Sequence, residues 1–157
     1  MKKFITFITT MVLSTSIGLC GCTKDCSQTI TAMETMTLTL QGMRFCNVYE
    51  ITTEDGKAAL RRYRKRYSNG ADTLELEASA VCDMADFLAL MNTCGVICWD
   101  GFYGKHPKNV KDGTMFDFRA TVNDGQEIRA HGSENFPKGY HEFVRALNQI
   151  LTEQEDD

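Results

Sequence analysis

The sequence predicts an α+β fold, in which hairpins build an antiparallel sheet of about five to six strands and two helices pack on one face. Three observations support this prediction: segments that alternate apolar and polar residues, tight-turn pairs between them, and two segments with helical periodicity. Alternation with a period of two is typical of a half-buried strand, because successive side chains point to opposite faces. Strands joined by short turns, with helices later in the chain, favour an antiparallel sheet covered on one side.

The first half of the chain is predicted to form an antiparallel meander. The predicted strands are 36–40, 45–53, 58–67 and 74–80, and the first and the last of them alternate apolar and polar residues. Asp55-Gly56 and Asn69-Gly70 lie between consecutive segments, and such pairs adopt the positive φ values that two-residue hairpin turns require. We therefore expect the later strands to pair as hairpins.

The second half is predicted to add a helix, a hairpin and a final helix. Asp83 occupies an N-cap position, Phe87 and Met91 follow at helical spacing, and Gly95 ends the run. The other predicted elements are a short buried strand end at 96–99, a long loop at 100–113, a hairpin at 116–130 turning at Asp124-Gly125, and a helix with Pro137 in its first turn. The stripe of this last helix consists of Tyr140, Phe143, Val144, Leu147, Ile150 and Leu151.

Composition and charge restrict the class of protein. The chain is 43% hydrophobic and 24% charged, as expected of a globular domain rather than a disordered or multi-span membrane protein. Its net charge is −4, and loss of Lys2 and Lys3 with an export signal would make it more negative. A nucleic-acid partner is therefore not expected.

The N-terminus has the order of a secretory signal. Lys2 and Lys3 precede an apolar segment, 4–19, that is shorter than the roughly 20 residues of a spanning helix. Leu19-Cys20-Gly21-Cys22 ends this segment and resembles the lipobox of bacterial lipoproteins, although Cys20 departs from the usual residue at its position. Simple secretion after Gly18 and an uncleaved anchor are the alternatives.

The lipobox resemblance implies that Cys22 receives a diacylglyceryl group and becomes the mature N-terminus. Two acyl chains on one residue give stable anchoring. The implied location is the extracytoplasmic face of the cell membrane, with the membrane as a partner through the lipid anchor. The expected organisation is a signal peptide at 1–21, a lipidated Cys and polar tether at 22–34, a single domain at 35–152 and an acidic tail at 153–157.

A basic run on the third predicted strand is the first candidate binding surface. Its cations on one strand face are Arg62, Arg64 and Arg66. They could bind an anionic partner such as a phosphate-bearing envelope polymer, an acidic glycan or a lipid headgroup. A protein is the other partner that the domain could bind. Alternatively, Glu75 and Glu77 on the next strand could neutralise them through cross-strand pairs.

The thiols leave several possibilities open. Of the 7 cysteines, Cys20 leaves with the signal and Cys22 carries lipid, so an odd number remains. Those remaining are Cys26, Cys46, Cys82, Cys94 and Cys98. Buried reduced thiols and one or two disulfides are both consistent with the sequence, which does not determine a pairing. The spacing matches no metal motif, so we expect neither a metal site nor a cofactor.

The long loop is the second candidate binding surface. It concentrates aromatic, cationic and hydrogen-bonding side chains on a predicted sheet scaffold, an arrangement often used in recognition. The candidate binding residues are Trp99, Phe102, Tyr103, Lys105 and His106. Alternatively, Trp99 and Phe102 could simply close the sheet edge. A catalytic pair of Cys98 with His106 is conceivable, but the spacing does not require it.

A second resemblance covers residues 36–152. Trp99-Asp100-Gly101-Phe102, Asp112-Gly113, Asp124-Gly125, Gly132, and Phe136-Pro137 with Tyr140 resemble a pattern in uncharacterised exported proteins and lipoproteins of Firmicutes, especially Clostridia. The resemblance supports the domain limits and implies no catalytic residues.

The function favoured by the sequence is a membrane-anchored binding or interaction domain. Whether the chain is an enzyme is uncertain, and the absence of a catalytic motif weighs against it, so no catalytic residue is assigned. The alternatives are a hydrolase or thiol-dependent enzyme of the cell envelope, and an inhibitor of a secreted enzyme. A polar pocket gathering His106, Cys98 and a carboxylate would favour an enzyme, whereas a flat face exposing Trp99 or Phe102 would favour binding.

Overall fold

The computed structural model describes residues 26–68 and 70–153. The strands are β1 (Met33–Gln41), β2 (Cys46–Glu54), β3 (Lys57–Ser68), β4 (Ala71–Asp83), β5 (Phe102–Gly104), β6 (Met115–Val122) and β7 (Gln126–Ser133). The helices are α1 (Met84–Thr93), a short 3₁₀ helix (Val96–Trp99) and α2 (Tyr140–Glu153). The expected signal peptide, Cys22, Asn69 and most of the acidic tail lie outside the described residues.

The strands form one seven-stranded sheet in the order β4-β3-β2-β1-β6-β7-β5. Every neighbouring pair is antiparallel except β5 and β7, which run parallel. The predicted α+β class is therefore confirmed, with more strands than expected, because β5 forms inside the segment that we expected to be a loop.

The prediction of a strand end at 96–99 is wrong, since these residues form the 3₁₀ helix. Gly95 ends α1 in a left-handed conformation, with φ of 67°, and its carbonyl accepts a 3.0 Å hydrogen bond from the amide of Cys98. A short apolar run has no periodicity that distinguishes a buried strand from a buried helical turn. The last helix also begins later than expected, at Tyr140, whose amide donates to the carbonyl of Pro137 at 3.2 Å.

The core lies on one face of the sheet, where both helices pack. The register places Leu38 between Tyr49 of β2 and Phe118 of β6, and all three are buried. The fully buried helix residues that cover them include Phe87, Met91, Phe143 and Leu147. Full burial of a large apolar side chain stabilises the fold by about 1.5 to 3 kcal/mol, so this face holds the sheet and helices together.

The opposite face of the sheet, which we call the open face, is covered by no helix or strand among the described residues. Its β1 residues Thr35, Thr37 and Thr39 alternate with the buried Met36 and Leu38. Large apolar side chains are also exposed on this face: Tyr67, Leu74, Leu76, Val81, Tyr103 and Met115. A partly apolar surface is therefore open to solvent.

The packed part of the chain begins before the domain boundary expected at residue 35. Ile30 is 1% exposed and belongs to the core. Its amide donates to Asn92 Oδ1, and its carbonyl accepts from Asn92 Nδ2, both at 2.9 Å. Asn123 Oδ1 accepts from the amide of Thr31 at 2.8 Å. A single apolar residue has no periodicity, which explains why the pattern predicted a polar tether here.

No described helix is both long and apolar enough to cross a membrane.

Replacing Ile30 with alanine should test whether this segment is part of the domain. We expect Ile30→Ala to lower the free energy of unfolding by about 2 to 5 kcal/mol, because it leaves a cavity in the core. Thr29→Ala, at an exposed neighbour, should change it by less than about 0.5 kcal/mol. Urea denaturation measures both, and equal values for the two variants would show that the segment is not packed in solution.

Candidate functional site

The cations of the basic strand are paired within the sheet. Glu77 forms ion pairs with two arginines, and its carboxylate oxygens lie 3.5 Å from Nε of Arg62 and 2.6 Å from Nε of Arg64. Arg66 Nε lies 3.0 Å from Glu75. These are the cross-strand pairs that the sequence offered as the alternative to an anion-binding strip.

A β-bulge brings Glu77 between two arginines. Arg62 pairs with Ala78 and Tyr63 with Leu76, so Glu77 is the extra residue on β4. Arg62 is also tied to α2, because its Nη1 donates to Asn148 Oδ1 at 3.0 Å. The geometry therefore favours a structural role for this strip.

The other strand face of the run is paired in the same way. Arg61 Nη2 donates to Glu54 at 2.8 Å, and this hydrogen bond lowers the pKa of Glu54. Lys65 Nζ lies 2.5 Å from Asp72, which raises the pKa of Lys65. Pairs this exposed add little stability, but they leave little net positive charge on the strand.

The loop residues separate into a buried pair and an exposed group. Trp99 is 1% exposed, and Phe102 is half-buried with its ring 6.2 Å from that of Phe116. Neither presents a flat aromatic face to a partner. Lys105 and His106 are exposed, and Tyr103 is 62% exposed on the open face.

His106 joins the loop to the end of β7. Its Nε2 lies 2.7 Å from the carbonyl oxygen of Val110, and its Nδ1 lies 2.8 Å from Ser133 Oγ. A carbonyl oxygen can only accept, so Nε2 carries a hydrogen. In the neutral imidazole, Nδ1 then accepts the hydroxyl hydrogen of Ser133. The tautomer of His106 is thus inferred from the atoms that its two ring nitrogens contact.

A groove of about 400 Å³ lies beside this pair, on the open face. One row of side chains crosses it, because cross-strand partners share a face. Thr39 of β1 pairs with Asp117 of β6, Asp117 with His131 of β7, and His131 with Tyr103 of β5. The rings of Tyr103 and His131 are 4.6 Å apart in an edge-to-face arrangement.

A second row closes the groove at the end of the sheet. Gln41 of β1 pairs with Met115 of β6, and Met115 pairs with Ser133 of β7, which His106 contacts. Sequence reasoning missed Ser133, His131 and Asp117. Their only signal was alternation within β6 and β7, because the pairing of distant strands decides which residues share a row.

Two glycines allow the short strand β5 to form the side of the groove. Gly104 and Gly132 are partners in the parallel pair. A Cβ atom on either would collide with the backbone carbonyl of Asn135, and one on Gly132 would also lie 2.8 Å from the ring of Phe116. Glycine is therefore required for Tyr103 to sit beside His131.

Cys98 does not pair with His106, whose ring nitrogens are engaged by Ser133 and Val110. Cys98 lines a separate cavity of about 620 Å³ beside the 3₁₀ helix, shared with Phe136 and other residues. Desolvation, and second a hydrogen bond with Cys26, raise the pKa of Cys98 to about 11. Since the thiolate is the nucleophile, Cys98 is poorly suited to thiol catalysis.

The described residues hold no group of three or more His, Cys, Asp or Glu side chains that could bind a metal ion. The groove supplies hydrogen-bonding side chains, an aromatic surface and one Ser–His pair.

Comparison with known proteins adds no relative: no protein-family model matches the chain, and neither the curated proteins nor the solved structures contain a significant match.

Proposed function

We propose that the protein is a lipoprotein held at the extracytoplasmic face of the cell membrane through Cys22, and that its domain binds a ligand in the groove on the open face. Support for the anchor comes from the signal segment and Leu19-Cys20-Gly21-Cys22. Support for binding comes from the row of side chains that Thr39, Asp117, His131 and Tyr103 form across the groove.

The groove has free hydrogen-bonding capacity in both of its rows. Thr39, Gln41 and His131 make no side-chain hydrogen bond to any residue in 26–68 or 70–153. Unused donors and acceptors that converge on one concave surface are typical of small-ligand sites. The exposed ring of Tyr103 adds an apolar surface with a polar tip. The groove can thus bind a ligand with both apolar and polar faces.

The lining favours a neutral, hydroxyl-rich ligand over an anionic one. Among the described residues, no Lys or Arg lines the groove, whereas Asp117 does, with one carboxylate oxygen accepting from Arg119 Nε at 3.2 Å. Hydroxyl groups can donate to Asp117 and exchange hydrogen bonds with the Gln41 amide. The C–H face of a sugar ring can pack on Tyr103. At the proposed location, the glycan of cell-wall peptidoglycan has this chemistry.

Peptidoglycan binding can be tested with two groove variants. The probe is purified peptidoglycan stripped of attached polymers, and the assay is co-sedimentation of the full lipoprotein in detergent. We expect the unaltered protein to co-sediment, and Tyr103→Ala and Asp117→Asn each to weaken binding by about tenfold or more, which corresponds to about 1.4 kcal/mol.

Tyr67→Ala is the matched control, because Tyr67 is 76% exposed on the same face but belongs to β3. It should bind peptidoglycan as the unaltered protein does. Absence of binding by the unaltered protein, or equal losses in the Tyr67 and Tyr103 variants, would exclude the groove as a peptidoglycan site.

The lipid anchor makes a separate prediction. Cys22→Ala should abolish metabolic labelling with palmitate and partition of the protein into a detergent phase. Cys20→Ala should leave both intact, because the lipobox resemblance assigns lipid to Cys22 alone. Palmitate labelling that survives Cys22→Ala, or a soluble protein that begins at Leu19, would contradict the anchor and favour one of the alternative signals.

The Ser133–His106 hydrogen bond favours one second candidate, a hydrolase. The imidazole could take the proton of Ser133 Oγ, while the Val110 carbonyl holds the ring as the third group of a triad does. Covalent labelling of Ser133 by a fluorophosphonate, lost in His106→Ala, would establish this candidate.

We expect no such labelling, because His106 and its loop lie exposed to water and no catalytic motif accompanies the pair. The structure gives less support to an inhibitor that presents the loop convexly. The bonds of His106 to Val110 and Ser133 draw the loop back onto the sheet.

A further inference from the structure

Two thiols that are far apart in the sequence meet beside the 3₁₀ helix. Cys26 and Cys98 are in side-chain hydrogen-bonding contact, and both are exposed. A sulfur–sulfur contact between residues so distant in the chain requires that the N-terminal segment be held against the domain. The backbone shows independently that it is.

The segment is fixed at Ile30, a few residues after Cys26. Both backbone hydrogen-bonding groups of Ile30 are paired with Asn92 near the end of α1. From Asn92 the chain turns through Gly95 and reaches Cys98 within one turn of the 3₁₀ helix. Bonds that do not involve sulfur therefore hold the segment after Cys26 close to the part of the chain that leads to Cys98.

The remaining thiols are poorly placed to compete. Cys46 begins β2 opposite Gln41, on the open face. Cys82 of β4 pairs with Ala58 of β3, and desolvation raises the pKa of the Cys82 thiol. Cys94 is 8% exposed and packs in the core. Among the five cysteines that the structure describes, only Cys26 and Cys98 combine contact with exposure to an oxidant.

We propose that Cys26 and Cys98 form a disulfide that fastens the chain leaving the lipid anchor to the domain. With oxidised glutathione or an equivalent disulfide as oxidant, both thiols lose their protons and one electron each. The Cys26–Cys98 bond forms, the S–S bond of the oxidant breaks, and two molecules of reduced thiol leave. Bond formation in the cell rests on the proposed export, because disulfides persist in oxidising compartments.

The disulfide would leave a very short free tether. Only Thr23, Lys24 and Asp25 separate Cys22 from Cys26. The cross-link would also close a long loop of the chain, which stabilises a fold chiefly by reducing the entropy of its unfolded state. The domain would then be held close to the membrane surface, with little freedom to move away.

Peptide mapping of the full lipoprotein tests the bond. The protein is extracted in detergent without reductant, its free thiols are alkylated, and the digest is analysed by mass spectrometry before and after reduction. We expect one linked peptide containing Cys26 and Cys98, with Cys46, Cys82 and Cys94 alkylated. A second sample is exposed to oxidised glutathione before alkylation. If Cys26 and Cys98 are both alkylated in that sample, or if Cys94 is linked to Cys98, the proposal is overturned.

An experiment in vitro tests the disulfide independently of where the protein is located in the cell. The Cys22→Ser chain, equilibrated in a buffer of reduced and oxidised glutathione, should form the same link. A link that forms there but not in cells would retain the pairing and count against export. Cys46→Ser should keep the bond. Cys26→Ser should lose it and leave Cys98 alkylated, while peptidoglycan binding by the groove stays unchanged.

Discussion

The burial of Trp99 is the constraint on which the rest of the structure depends. Its ring packs edge to face on Phe118 of β6 and Phe143 of α2, at centroid distances of 5.1 and 5.5 Å. Its indole N–H donates to the carbonyl of Lys138 at 2.9 Å, so the polar atom of a fully buried ring is satisfied. One side chain thus joins the 3₁₀ helix, the sheet and the turn that precedes α2.

The buried position of Trp99 also determines where the groove on the open face forms. Directly after Trp99, Asp100 Oδ1 accepts the amide hydrogen of Arg129 at 3.1 Å, and the amide of Gly101 donates to the Arg129 carbonyl. The chain therefore passes from the core to the sheet edge within a few residues and continues as β5. Because Phe102 faces the core, Tyr103 must face the open side. Phe102, which the sequence offered as a binding residue, thus determines the face on which Tyr103 lies.

The sequence was sufficient to predict the hairpins, but insufficient to predict the 3₁₀ helix and the groove. The hairpins were predictable because Asp-Gly pairs favour the positive φ values that tight turns require. Asp55 and Gly56 have φ values of 50° and 75°, and Gly125 has a φ value of 90°. The groove depends on register between strands far apart in the chain, and on the parallel pairing of β5 with β7, which no local pattern encodes. The contact of His106 with Ser133 was not predictable for the same reason, because it joins the loop after β5 to the end of β7.

The N-terminal segment and the groove lie at opposite ends of β6 and β7. This arrangement bears on how the proposed lipoprotein would work. The N-terminal segment bonds to Asn123, in the turn after β6, whereas Met115 and Ser133 lie at the other end of the same hairpin. At about 3.4 Å per residue, this separation is about 25 Å. In addition, the contact between Cys26 and Cys98 lies beside the 3₁₀ helix, on the side of the sheet that the helices cover. A domain fastened there would therefore turn the open face and its groove away from the membrane. That orientation suits a ligand in the cell wall better than a lipid headgroup.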